Sequence, residues 1–351
     1  MSLVTQVPAY ALQHTLFIPA HVSSLEYTQN DTLILGSDDG SIRLYRLPDT
    51  KVVKAIRGLG SEVSSIAVMA PRSGGFGDMW VACGSSVKLF NLNTRELIQS
   101  SENALVAVQL SDNNGDAVNG ISVSENQKSL AFTLDSGVVG VVDLLTNSVR
   151  RMKTPHTSIC ATASFIPDRP SEVVSGGYDS ALLHFDFRQG ALLSRREFAS
   201  LPQTSAVSLS PPFVLCLSVS STGSVAAGTA DGQIWIGLGG DKRVSVKKTR
   251  KWGGLREDMG LSKKIADGPV VALAFLNPTT IVTSTLLGNI SGHLARVEGD
   301  VGDWRIESFP IAQTEIISKV NALAIHGDNI AVGGFRMDGK GVAEVRCCKG
   351  V

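Results

Sequence analysis

The sequence predicts an all-β fold, a ring of seven four-stranded antiparallel sheets closed by an N-terminal strand. Three observations lead to this prediction. A pattern of three short alternating apolar stretches recurs along the chain, polar turns containing Gly or Asp separate the stretches, and no segment carries a convincing helical stripe. Glycine is abundant, at 35 of 351 residues, as frequent tight turns require. The predicted architecture is a seven-bladed β-propeller.

The repeats set the number of blades. Four copies of the pattern are clear and begin near residues 21, 118, 156 and 214. Weaker copies begin near residues 63, 270 and 320. Seven units average about 50 residues each, which fits a four-stranded repeat with long loops. We therefore predict that residues 1–351 form a single propeller domain.

One blade of the predicted ring lacks a strand. The last repeat ends soon after its third stretch, whereas residues 10–18 form an additional alternating stretch ahead of the first repeat. A small sheet cannot bury both faces alone, and an open ring would leave an end sheet exposed to edge pairing. We therefore predict that residues 10–18 supply the outer strand of the last blade.

The turns between the second and third stretches carry acidic residues at a fixed place. These residues are Asp38, Asp135, Asp179 and Asp231, and His21 and His156 open two of the same units. A carboxylate that accepts turn N–H groups and an imidazole N–H stabilises a hairpin by about 1–3 kcal/mol per hydrogen bond. We interpret all six residues as structural.

These residues resemble the WD40-repeat family, across almost the whole chain. The repeat of that family carries a His near its first strand, an Asp in its second turn and Trp-Asp after its third strand. His156, Asp179 and Phe185-Asp186 match in the fourth repeat, and His21 and Asp38 match in the first. The full Trp-Asp pair is absent from the sequence. The resemblance implies a non-catalytic scaffold for protein–protein interaction.

One segment points to a particular partner. Residues 173–188 resemble the sixteen-residue box of WD40 proteins that dock on the adaptor of cullin-4 ubiquitin ligases. That box ends in Trp-Asp-x-Arg, and this chain has Phe185-Asp186-Phe187-Arg188, with Phe in place of Trp. The resemblance implies that Phe185, Asp186 and Arg188 bind the adaptor while loops of the opposite face recruit a target. The alternative is that Arg188 is a solvated loop residue and Asp186 only caps its turn.

Residues 242–256 hold the basic cluster of the chain. It contains Lys247, Lys248, Arg250 and Lys251, and its place between two repeats predicts an extended outer strand and a long loop. Three interpretations remain open: a solvated loop, a contact for an acidic partner or nucleic acid, and a nuclear-import signal.

Composition narrows the classes of function. The 32 basic and 32 acidic residues cancel, which argues against a nucleic-acid binder driven by bulk charge. Five cysteines and six histidines show no metal-ligand spacing, so we expect neither a metal nor a cofactor. No catalytic constellation stands out, and we expect that the protein is not an enzyme.

Location and alternatives complete the expectations. Residues 1–20 lack signal-peptide features and no apolar run approaches a membrane span, so we expect a monomer in the cytoplasm or nucleus with protein partners. An alternative function is a chromatin- or RNA-associated scaffold that reads a short peptide, and a remote alternative is a propeller enzyme. The sequence does not identify the partner, because peptide selectivity depends on loop residues that follow no spacing rule.

Overall fold

In the residues that the structure describes, the regular secondary structure is almost entirely β-strand. The computed structural model describes residues 9–71, 75–113, 115–199, 210–243, 251–298 and 303–348. Within these ranges the chain forms 29 strands and two single turns of 3-10 helix, at Ser101–Asn103 and Glu257–Met259. These ranges contain no helix that is long and apolar enough to cross a membrane.

The strands form seven sheets, which are numbered here as blades 1 to 7 from the N-terminal side. Blade 1 contains β2 (Val22–Tyr27), β3 (Thr32–Ser37), β4 (Ile42–Arg46) and β5 (Val52–Arg57). Blade 2 contains β6 (Val63–Val68), β7 (Asp78–Cys83), β8 (Ser86–Asn91) and β10 (Val106–Gln109). Blade 3 contains β11 (Val118–Val123), β12 (Ser129–Leu134), β13 (Val139–Asp143) and β14 (Val149–Arg151).

Blade 4 contains β15 (Cys160–Phe165), β16 (Glu172–Gly177), β17 (Ala181–Asp186) and β18 (Ala191–Glu197). Blade 5 contains β19 (Val214–Val219), β20 (Val225–Thr229), β21 (Gln233–Gly237) and β22 (Gly260–Lys264). Blade 6 contains β23 (Val270–Asn277), β24 (Thr280–Thr285), β25 (Asn289–Glu298) and β26 (Asp303–Gln313). Blade 7 contains β27 (Lys319–His326), β28 (Asn329–Phe335), β29 (Gly341–Cys348) and β1 (Tyr10–Ile18).

The N-terminal strand closes the ring, as the sequence predicted. Strand β1 pairs antiparallel with β29, from Tyr10 opposite Cys348 to Ile18 opposite Gly341. The chain then continues directly into blade 1, so both ends of the propeller domain meet in one sheet. The predicted fold class, a seven-bladed all-β propeller closed by an N-terminal strand, is therefore confirmed.

The core lies between the blades. Seven clusters of buried apolar side chains each combine residues of two neighbouring blades, and the cluster that contains Leu16, Val22 and Ala343 joins blade 7 to blade 1. Because each blade buries both faces against its neighbours, alternation along the strands brings apolar side chains to two interfaces rather than one. This packing accounts for strands such as β3, in which all six residues are buried.

Hydrogen bonds tie the innermost strands together. The first strand of every blade carries a β-bulge near its start. At four bulges, the extra residue donates from its side chain to a main-chain carbonyl of the next blade: Ser23 to Val63 (2.8 Å), Ser64 to Val118 (2.5 Å), Asn119 to Cys160 (3.1 Å) and Asn321 to Val22 (2.9 Å). A bulge re-aims a side chain out of the regular alternation, which allows these inter-blade contacts.

Loops emerge on two faces because antiparallel strands alternate in direction. The bottom face, as used below, bears the loops from first to second and from third to fourth strands of each blade. The top face bears the loops from second to third strands and the links between blades. The Asp turns lie on the top face, and residues 187–190 lie on the bottom face.

The Asp turns differ from the expected two-residue geometry. Asp-Gly between two strands predicts a tight two-residue hairpin with positive φ at its central residues. The loops instead have three residues, and only the last is left-handed: Gly40 (φ 72°), Gly137 (84°) and Gly232 (87°). In blade 4 Ser180 takes this role, with φ 56°. A type I turn followed by one left-handed residue explains the pattern, because its central residues keep negative φ.

Two further features differ from, or add to, the sequence prediction. Strand β9 (Ile98–Ser100), from a long loop of blade 2, pairs parallel with β5 and extends blade 1 to five strands. The outer strand of blade 5 is Gly260–Lys264, so the expectation of an outer strand within residues 242–256 was wrong for the described part of that segment. There Trp252 is buried and donates to the Gly223 carbonyl (3.0 Å), which holds the chain in a loop before the strand begins.

Candidate functional site

A buried histidine–aspartate pair lies on the top face of blade 4. The Nδ1 atom of His156 lies 2.7 Å from Oδ1 of Asp179, and these side chains are 0% and 4% exposed. The Thr157 amide donates to Oδ2 of Asp179 (3.1 Å), and Nε2 of His156 lies 2.9 Å from the Ser175 hydroxyl. Burial raises the pKa of Asp179, but hydrogen bonds from His156 and Thr157 outweigh it and hold that pKa below its ordinary value. The pair thus links the entry of the blade to its turn.

The corresponding pair in blade 1 is looser. Nδ1 of His21 lies 3.3 Å from Oδ2 of Asp38, and the two side chains are 37% and 42% exposed. The His21 ring stacks on Phe335 of blade 7 at 4.3 Å between ring centres. Water competes for both partners at this exposure, so the ion pair contributes little to stability.

The other two predicted turn carboxylates have different partners. Oδ1 of Asp135 accepts from the Asn119 side chain at 3.0 Å, and Asp231 accepts from the Thr229 hydroxyl and the Gln233 side-chain amide. These contacts all lie within the chain and support the structural interpretation. Sequence reasoning missed Asp116, which accepts from both the amide (2.8 Å) and the hydroxyl (2.9 Å) of Ser136.

The segment Phe185-Asp186-Phe187-Arg188 forms a firm turn on the bottom face. Phe185 is 0% exposed and Phe187 9% exposed, and both belong to the cluster between blades 3 and 4. Oδ1 of Asp186 accepts from the amides of Arg188 (2.9 Å) and Gln189 (3.2 Å). Arg188 is exposed. Phe185 therefore anchors the turn in the core between blades 3 and 4, and Arg188 is the member of the segment that faces solvent.

Two further cations lie beside Arg188, and sequence reasoning missed both. Lys128, Arg150 and Arg188 line a cavity of about 260 Å³ at the outer bottom edge between blades 3 and 4. The guanidinium of Arg150 donates to the Arg188 carbonyl, which ties β14 to the turn of blade 4. Lys128 and Arg150 belong to blade 3 and Arg188 belongs to blade 4, so the packing of blade 3 against blade 4 brings Arg188 to the other two cations.

One carboxylate, Asp143, lines the same cavity. Its Oδ1 accepts from the amides of Leu145 and Thr146, both at 3.0 Å, and from the Thr146 hydroxyl at 3.1 Å. These hydrogen bonds lower the pKa of Asp143 and keep it ionised. Three cations against one carboxylate leave the cavity with an excess of positive charge.

The structure describes only part of the predicted basic contact. Lys247, Lys248 and Arg250 lie outside the described residues, whereas Lys251 is described and exposed. Just before this segment, Lys242 pairs with Asp168 and Arg243 pairs with Asp241. The contact with an acidic partner stays a prediction. Among the described residues, no group of three or more His, Cys, Asp or Glu could hold a metal ion.

Comparison with known proteins identifies the repeat. The WD40 family, described as "WD domain, G-beta repeat", matches residues 11–46, which run from the closing strand β1 through β4 of blade 1. The chain is also 24% identical over 229 residues to a "WD repeat-containing protein 53 homolog" from Dictyostelium discoideum. That match covers 60% of this chain and 60% of the relative.

Residues 156–188 are the part of the sequence that most resembles WD repeat-containing protein 53. The chain spans about 60% of the length of the curated relative that carries this name. With seven blades, a closing strand and one repeat that matches the WD40 family at the point of closure, the chain is a seven-bladed β-propeller that is similar to WD40-repeat proteins and distantly similar to a WD repeat-containing protein 53 homolog.

Proposed function

We propose that this protein is a non-catalytic scaffold whose bottom face docks on the adaptor of a cullin-4 ubiquitin ligase while its top loops hold a target protein. WD40 propellers are typically protein-interaction scaffolds, which supports the general part of the proposal. The five cysteines, all free thiols, suit the reducing cytoplasm or nucleus, where we place this function.

The burial of two histidine–carboxylate pairs in blade 4 supports a non-catalytic function. His156 pairs with Asp179, and His184 pairs with Glu172 at 2.9 Å. Both histidines are 2% exposed. A general acid or base must reach a substrate proton, and these groups are instead occupied by one another beneath the surface. They stabilise the blade.

The observation that carries the docking proposal is the exposed guanidinium of Arg188 on a fixed turn. Asp186 orders the turn by accepting two main-chain N–H groups, and buried Phe185 and Phe187 anchor it. An Arg held this way presents its planar donors to carbonyl or carboxylate groups of a partner at low cost in conformational entropy. Phe185 fills the core position where the family box has Trp, so the substitution keeps the anchoring role.

Affinity purification with mass spectrometry tests the proposal. Wild type, Arg188→Glu and Lys51→Glu are compared, since Lys51 is exposed in the third-to-fourth-strand turn of blade 1, equivalent to the turn of Arg188. We expect Arg188→Glu to lower adaptor recovery at least tenfold, because charge reversal at an interface centre costs more than 1.4 kcal/mol. Lys51→Glu should leave recovery unchanged.

The melting temperature of both variants should match that of the wild type, because exposed side chains change stability by about 0.5 kcal/mol or less. Equal adaptor recovery by Arg188→Glu and wild type would contradict the docking role. Recovery of other proteins, unaffected by Arg188→Glu, would leave only the general scaffold.

A further inference from the structure

A groove crosses the bottom face between blades 3 and 4. Next to the cavity of Arg188 lies a second, larger one of about 620 Å³, and the two share Asn126 and Pro170 in their linings. One wall is the loop between β11 and β12, and the other is the loop between β15 and β16. The groove thus runs outward from the innermost strands to the turn that carries Arg188. Its two ends differ in chemistry.

The inner end is mainly apolar. Val123, Phe165, Ile166 and Pro167 line it. The hydroxyl of Ser122 also lies here, buried and without a hydrogen-bond partner among the described residues. This end suits an apolar side chain.

The inner end also has charged groups, and most are neutralised. Asp168 pairs with Lys242 of blade 5, and Arg169 lies 3.5 Å from the carboxylate of Glu172. Glu125 is exposed at the rim. The inner end is therefore neutral to slightly negative, in contrast to the outer end.

The outer end is cationic. Lys128, Arg150 and Arg188 converge there, while one carboxylate oxygen of Asp143, Oδ1, accepts hydrogen bonds from its own turn. Three cations against one carboxylate attract an anionic group to this end. A carboxylate entering this end would meet two guanidinium groups, one of which is fixed by its bond to the Arg188 carbonyl.

We propose that this groove binds an extended peptide segment of a partner protein that places an apolar side chain at the inner end and an Asp or Glu carboxylate at the outer end. The inference rests on the proposed scaffold function and specifies the chemistry of the partner beside Arg188. A combined volume in the range of small-ligand sites is enough for a few residues of extended chain. Nucleic acid fits less well, because its phosphates need cations along the whole path and the inner end carries Glu125.

A library of short random peptides displayed on phage tests the inference. It is selected on wild type, on the double variant Lys128→Glu/Arg188→Glu and on Lys51→Glu. Some peptides should be recovered on wild type and on Lys51→Glu but lost on the double variant. We expect these peptides to share an acidic residue at a fixed spacing from an apolar residue. Synthetic versions, measured by fluorescence anisotropy, should lose at least tenfold in affinity when the acidic residue becomes Lys or the apolar residue becomes Ser.

We call a peptide groove-dependent when it binds wild type and is lost on the double variant. Three results would overturn the inference: no groove-dependent peptide is found, the groove-dependent peptides share no acidic residue, or a single-stranded oligonucleotide binds in their place. The two proposals fail separately. Adaptor recovery that depends on Arg188 without any groove-dependent peptide would retain the scaffold function and reject the groove. Groove-dependent peptides without adaptor recovery would retain the groove and reject the cullin-4 role.

Discussion

Replacing Asp179 by Ala should destabilise the propeller much more than the same change at Asp38. The Asp179 carboxylate is 4% exposed and accepts from His156 and from the Thr157 amide. Removing one partner of a buried, hydrogen-bonded pair costs about 3–5 kcal/mol. The Asp38 carboxylate is 42% exposed and 3.3 Å from His21, and exposed pairs contribute about 1 kcal/mol or less. We therefore expect a difference of at least 2 kcal/mol between the variants.

Urea unfolding followed by circular dichroism measures this difference. Hydrogen exchange adds a local readout that does not require two-state unfolding: the amide of Thr157 should exchange about a hundredfold faster in Asp179→Ala, since it loses its acceptor. Equal unfolding midpoints for the two variants, or an unchanged exchange rate at Thr157, would refute the argument that burial sets the strength of the pair.

The same pair predicts a pH dependence. The pKa of Asp179 is lowered in the folded state, so its stabilisation is present above the unfolded value of about 3.8 and is lost as pH falls through the lower folded value. The gap in stability between wild type and Asp179→Ala should therefore narrow below about pH 4. A constant gap from pH 7 to pH 3 would contradict the sign of the shift.

Two further predictions concern the inner strand and the closure. Burial raises the pKa of Glu26 on β2 from 4.5 to about 7. Ionising this buried carboxyl destabilises the folded state, so the wild type loses stability as the pH rises through this range. In urea unfolding, Glu26→Gln should be more stable than wild type by about 3 kcal/mol at pH 8 and equal to it at pH 4. Ala11 lies opposite Cys347 in the pairing of β1 with β29, so Ala11→Cys should form a disulfide with Cys347 under mild oxidation. This bond should raise the free energy of unfolding by about 2–4 kcal/mol. Faster migration on a non-reducing gel would detect the disulfide, and a higher melting temperature would show the stabilisation.

Each of these has a matched control. For Glu26→Gln, a difference in the free energy of unfolding between wild type and variant that stays constant from pH 4 to pH 8 would contradict the raised pKa. For the disulfide, Leu12→Cys lies opposite Arg346, which offers no thiol, and should remain reduced. Cross-linking of both variants to the same extent would argue against the observed register of β1 and β29.

Much of the fold could be predicted because it rests on local patterns. Alternation along residues 10–18 and the missing fourth strand of the last repeat together predicted the pairing of β1 with β29. The parallel pairing of β9 with β5 could not be predicted, because it joins residues 98–100 to residues 55–57 through no repeat or turn signal. The outer strand of blade 5 was misplaced because the chain first packs Trp252 into the core.

The candidate site was predicted only in part. The resemblance of residues 173–188 to the sixteen-residue docking box pointed to Arg188 and Asp186. In the structure, Arg188 is exposed to solvent, whereas Asp186 accepts a hydrogen bond from the main chain of its own turn. Lys128 and Arg150 gave no signal, since neither belongs to a motif. Their convergence with Arg188 follows from the contact between two blades, which no spacing rule along the chain encodes.

The sequence by itself determined the strand pattern, the seven repeats and the closing strand, because each depends on residues that are near in the chain or on a count of strands. Only the tertiary structure decided how deeply each repeat buries the same residues. His21–Asp38 and His156–Asp179 look alike in sequence, yet the first pair is open to water and the second is sealed. Burial, and with it the strength of an ion pair or the charge of a groove, is set by neighbouring blades that lie many residues away.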